Sequence, residues 1–65
     1  MKKLSPRELT VLQLIANGCS NAQTAKALQV SLGSVENHLR FISLKMQTNG
    51  RAHAVAEGFR KGLIK

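Results

Sequence analysis

The chain has 65 residues, ten Lys and Arg against three Asp and Glu, a formal net charge of +7 and a pI of 10.6. A domain this small buries only about 60% of its unfolded surface, which leaves room for one core and speaks against a large catalytic cleft. No apolar run approaches the roughly 18 residues that span a bilayer, the opening Met1-Lys2-Lys3-Leu4-Ser5-Pro6 has no secretory signal, and one cysteine with two scattered histidines makes neither an internal disulfide nor a zinc site. These counts predict a reduced, cytoplasmic domain without metal or cofactor, stabilised by packing alone.

The helix signals predict an all-α domain of four helices, over about 6–17, 21–29, 32–46 and 51–61, with a central helix-turn-helix. Ser5-Pro6-Arg7-Glu8 has the form of a capping box with proline at the first helical position; Leu9, Val11, Leu12, Leu14, Ile15 and Ala16 follow as an apolar stripe, and Gly18 stops the helix. Ser20-Asn21-Ala22-Gln23 repeats the box and leads into Ala22, Ala25, Ala27 and Leu28, a thin helix that can approach its neighbours closely. Ser31 is a third N-cap, so only about three or four residues join the second and third helices, the connection of a helix-turn-helix. In the third helix Val35, Leu39, Ile42 and Met46 recur at helical spacing and share a face; Gly33, Glu36, Asn37, Arg40 and Ser43 lie on the other. Asn49-Gly50 breaks the chain before a fourth helix carrying Ala52, Ala54, Val55, Ala56, Gly58 and Phe59, and after Gly62 the Leu63-Ile64 pair can fold back onto the core.

So basic a domain is suited to a polyanion: nucleic acid first, an anionic membrane surface or acidic protein second. With two Phe and no Trp or Tyr there is little for bases of a single strand to stack on, which favours duplex DNA. Catalysis finds little support. Glu8, Glu36 and Glu57 fall on different helices, His38 and His53 have no Asp to orient them, and Cys19 reads as a small turn hydrophobe rather than an activated thiol. The third helix is better placed for reading bases. Glu36, Asn37 and Arg40 point into one sector, and their side chains suit cytosine N4, adenine N6/N7 and guanine O6/N7 respectively in the major groove. Free amides and hydroxyls at Ser20 and Asn21 and at Ser31 and Ser34 suit phosphate oxygens, with His38, Lys45 and Arg51 as further backbone contacts.

These residues resemble a known family. Leu4-Ser5-Pro6-Arg7-Glu8, the run from Val11 to Gly18, Ser20-Asn21, Ala25-Lys26-Ala27-Leu28, Val35-Glu36-Asn37-His38-Leu39, Lys45-Met46, Arg51 and Gly62-Leu63-Ile64 look like the LuxR-type helix-turn-helix domain of LuxR/GerE/FixJ-like regulators, over residues 4 to 64 without a gap. The resemblance implies a DNA-binding output domain of bacterial transcription regulators, helix three in the major groove, base contacts at Glu36, Asn37 and Arg40, and dimerisation through helix four. Position 36 is Glu where the family commonly has Lys or Arg, Gln23-Thr24 stands for Glu-Ile and should weaken the core there, and Gly50 replaces an Asn cap. Phe41 and Leu44 stand where polar residues are usual; either another surface covers them or they pack on helix one or Leu4. The Ala-Val-Ala and Gly-Leu-Ile tail is slightly closer to the quorum-sensing branch than to the phosphorelay branch. Members normally carry an N-terminal receiver or ligand-binding domain, and an isolated output domain and a stand-alone regulator are both compatible with the chain.

The expected function is sequence-specific duplex binding in transcription, as a dimer on DNA. On helix four, Val55 and Phe59 are expected inward, with Ala54, Glu57, Gly58 and Lys61 on the exposed side as the dimer face. RNA polymerase or a sensor domain is a further candidate partner. The alternatives are a protein-interaction module of the same fold and a fragment like region four of a sigma factor; the latter fits the Gly62-Leu63-Ile64 tail poorly.

Overall fold

A computed structural model describes residues 3–65, and its elements in chain order are α1 (Pro6–Ala16), α2 (Asn21–Leu28), α3 (Leu32–Met46) and α4 (Arg51–Arg60). The helix starts match the sequence reading. Three ends fall one residue earlier, because Asn17, Gln29 and Lys61 are the half-helical C-cap residues. The expected capping devices form. Ser5 Oγ accepts from the Glu8 amide at 3.2 Å while Glu8 Oε1 accepts from the Ser5 amide at 2.8 Å. After α1 the Gly18 amide donates to the Ile15 carbonyl and the Cys19 amide to that of Leu14, both at 3.0 Å, closing the last turn.

α1 and α3 pack on each other, and each also packs on both α2 and α4. Between them lies the core: Leu4, Val11, Leu12 and Ile15, then Ala25, then Val35, Ile42 and Met46, then Ala54 and the returning Ile64. The tail is held against α1 by the Gln13 carboxamide, which donates to the Lys65 carbonyl and accepts from the Lys65 amide, both at 2.9 Å. On α2 only Ala25 of the expected stripe is buried, with Leu28 half-buried; Ala22 and Ala27 are exposed and Thr24 takes the inward place. Thr24 is fully buried and its Oγ1 has no hydrogen-bond partner. That is the weakness expected where the family has an aliphatic side chain.

α4 is rotated relative to expectation. Ala54 and Gly58 are buried, Val55 and Glu57 are half-buried, Lys61 is exposed and Phe59 faces solvent. The reason is distance. α4 lies so close to α1 and the tail that a Cβ on Gly58 would stand 3.0 Å from Leu12 Cδ2 and 3.1 Å from Ile64 Cδ1. Only the side bearing Ala54 and Gly58 fits there, so the bulk of Phe59 turns outward. Ala54 and Gly58 therefore belong to the monomer core and not to an exposed face.

Two substitutions probe this packing in chemical denaturation. Gly58→Ala forces overpacking against the fully buried Leu12, at a cost of about 1–3 kcal/mol; better helix propensity returns about 1 kcal/mol, and the expected net is a loss of about 1 kcal/mol. Thr24→Val keeps the shape and deletes the unpartnered hydroxyl, and should raise stability by about 1 kcal/mol.

Candidate nucleic-acid interface

The candidate interface is built on α2, a three-residue turn and α3. Ser20 starts α2 with a reciprocal cap: its Oγ accepts from the Gln23 amide at 3.0 Å and its amide donates to Gln23 Oε1 at 2.8 Å. The helix stops at Gln29, whose left-handed backbone (φ 58°, ψ 44°) turns the chain. The Val30 amide closes the turn on the Ala25 carbonyl at 3.0 Å. Ser31 then begins α3 by accepting from the Ser34 amide at 3.1 Å. Two short caps around one left-handed residue set the angle at which α3 leaves α2.

α3 buries Val35, Ile42 and Met46, with Leu39 half-buried, and presents Glu36, Asn37 and Arg40 to solvent. Among the described residues neither Glu36 nor Arg40 makes an ion pair, so both are free to meet a ligand. Phe41 and Leu44 are 51% and 68% exposed, so the expected alternative of packing on α1 or Leu4 does not hold. Ser34 and His38 are half-buried at the edge of this face. His38 Nδ1 lies 2.6 Å from the Ser34 carbonyl; a carbonyl only accepts, so Nδ1 carries a proton.

The backbone-contact candidates divide. Ser20 and Ser31 are exposed at the N-termini of α2 and α3. Asn21 and Arg51 meet: the guanidinium donates through Nη2 to Asn21 Oδ1, placing a cation beside the amides that open α2. α4 itself starts without a side-chain cap, from Gly50 at φ 117° and ψ −179°, a conformation that essentially only glycine adopts. The Asn49 amide instead donates to His53 Nδ1 at 3.1 Å.

Lys45 is turned inward. Its Nζ is 2.7 Å from Oε1 of the buried Glu8, so a phosphate would have to break this pair to gain Lys45. Sequence reasoning missed the pairing because the capping box already accounts for Glu8, and nothing local marks a partner 37 residues away. Burial alone would raise the Glu8 carboxyl, but the hydrogen bonds from Lys45 and from the Ser5 backbone, with the Lys45 charge, outweigh it and hold the group below the usual carboxylate range.

The fold and this face define a helix-turn-helix domain, and the comparisons place it. A family model described as bacterial regulatory proteins of the luxR family matches residues 2–57. The transcriptional regulatory protein DegU of Brevibacillus brevis is 42% identical over 95% of this chain and 26% of its own length. The response regulator protein VraR of Staphylococcus aureus is 36% identical over 94% of this chain and 29% of its own. Among solved structures, the transcription factor GerE superposes with a TM-score of 0.91 at 28% identity, covering 98% of this chain and 97% of that one. The response regulator ChrA of a heme-sensing two-component system superposes at 0.92 with 34% identity, covering 98% of this chain and 32% of that one. The chain belongs to the luxR family of bacterial regulatory proteins and has its DNA-binding helix-turn-helix fold. It spans less than a third of the length of DegU and VraR.

Glu8→Gln tests the ion pair without removing the cap, since a glutamine serves the same position in α2. At neutral pH the variant should be less stable by about 1.5–3 kcal/mol, the value of a hydrogen bond to a charged group. Because the folded carboxyl titrates below its unfolded value, this stability is fully present above the unfolded carboxylate range. It is lost as pH falls through the lower, folded value. Urea melts of both proteins should therefore begin to approach each other in the usual carboxylate range and converge only below it, once the folded carboxyl itself is protonated.

Proposed function

We propose that this domain is a sequence-specific duplex-DNA-binding module acting in transcription in the cytoplasm, with α3 in the major groove. The observation that carries the reading is the free, solvent-facing sector of Glu36, Asn37 and Arg40 on a helix set by two caps and a three-residue turn, on a chain of net charge +7. Arg40 suits guanine, Asn37 adenine and Glu36 cytosine N4. The amides and hydroxyls at Ser20, Asn21, Ser31 and Ser34, together with His38 and Arg51, hold the phosphates on either side. Lys45 joins them only at the expense of its pair with Glu8.

A dimer on DNA forms through α4, but by a different stripe from the one the sequence suggested. Ala52, Ala56 and Phe59 are exposed, with half-buried Val55 beside them, and they offer a small apolar surface suited to an isologous contact. Two protomers on one face of the duplex place half-sites about 10 base pairs apart. A second reading, a module that holds a regulator or RNA polymerase, is favoured by the open Phe41–Leu44 strip.

Selection from a random duplex library, then titration of the recovered sequence at two salt concentrations, separates the readings. Duplex binding should give a two-fold-symmetric consensus, with log affinity falling by about 0.9 per phosphate neutralised for each decade of salt. Absence of binding at low salt would overturn it in favour of the protein-interaction module. Arg40→Ala should cost about 1–3 kcal/mol on the selected site and relax preference at one base pair; unchanged affinity and preference would remove α3 from the groove.

A further inference from the structure

α3 leaves three large apolar side chains open, Leu32 in its first turn and Phe41 and Leu44 beyond its polar sector, and neither Phe41 nor Leu44 has a role in the core. At 3.6 residues per turn, Phe41 lies about 40° and Leu44 about 20° round the axis from Asn37, on opposite sides of it and about one and two turns nearer the C-terminus. They continue the Asn37–Arg40 sector and do not form a separate face. Whatever covers them must also cover Arg40, which lies about 40° round the axis from Leu44 and has no ion-pair partner among the described residues. An apolar protein surface would leave that charge buried and unpaired. The major groove offers acceptors for Arg40, donors for Glu36 and one apolar feature, the C5 methyl of thymine. We infer that Phe41 and Leu44 are specificity-determining residues that contact thymine methyl groups beside the base pairs facing Asn37 and Arg40. This rests on the duplex-binding reading above.

The test uses the intact chain and the duplex recovered by selection. Each thymine is replaced in turn by deoxyuridine, which deletes the methyl and leaves the pairing edge and the O4 acceptor in place. Dissociation constants are measured by fluorescence anisotropy for the unsubstituted protein, Phe41→Ala and Leu44→Ala. Both side chains are exposed, so both variants should keep the parent melting temperature. At one or two thymines the parent should lose about four-fold in affinity, the value of one buried methyl group. The variant lacking the matching side chain should bind the thymine duplex more weakly and no longer distinguish it from the deoxyuridine duplex. Specific binding that is indifferent to every methyl, or variants as sensitive to methyl removal as the parent, would overturn the proposal and leave the strip to a protein partner. A selection that yields no consensus would instead remove the duplex-binding reading itself, before any thymine is changed, and this proposal with it.

Discussion

One buried carboxylate ties the ends of the two central helices together. Glu8 is 5% exposed, and the same oxygen accepts the Ser5 amide at 2.8 Å and the Lys45 ammonium at 2.7 Å. The first bond satisfies one of the orphan amides that open α1; the second pins the start of α1 to the last turn of α3, where a cation also complements the helix dipole. A chain of 65 residues has little core to spare. Fixing α1 against α3 at this point fixes the surface on which α2 and α4 both rest, and with it the direction in which α3 projects its outer face.

The second constraint is how closely α4 approaches. Gly58 and Ala54 let it settle onto Leu12 and the returning Ile64, and the tail is then held by the Gln13 carboxamide. This close seat decides which way α4 faces the outside. Ala52, Ala56 and Phe59 become an open apolar stripe because the side opposite them is the one without bulk. The exposed apolar stripe of α4 is in this sense a by-product of its packing.

What could be read beforehand follows from this distinction between local and long-range forces. The caps at Ser5, Ser20 and Ser31 are encoded within four residues, so they and the helix starts were legible. The buried spacing of Val35, Ile42 and Met46 is likewise local to one helix, and it correctly left Glu36, Asn37 and Arg40 outside. The face of α4 was not legible. Ala52, Ala54 and Ala56 are chemically identical, and a rule that sends the largest apolar side chain inward misplaces Phe59 when the gap between helices admits only a glycine. The Lys45–Glu8 pair escaped for the same reason, since its partners meet only after α1 and α3 have docked. Thr24 is the intermediate case: the weak point could be located from the sequence, while its unpartnered hydroxyl required the packed structure.

The acids show how charge is distributed by the same packing. Of three carboxylates, Glu8 is held by Lys45, and Glu57 is held by Arg60 through two bonds of 2.8 and 3.0 Å with Lys61 at 3.8 Å. Glu36 alone stands without a partner among the described residues, on the one face where Arg40 is also free. Were this face to meet a polyanion, the lone carboxylate would be a repulsion to be offset. On the duplex-binding reading it is offset only if it meets a donor on the groove floor, which the phosphate backbone cannot supply. An acidic side chain at that position therefore narrows the range of sites the domain can accept, acting against sequences that present only acceptors there.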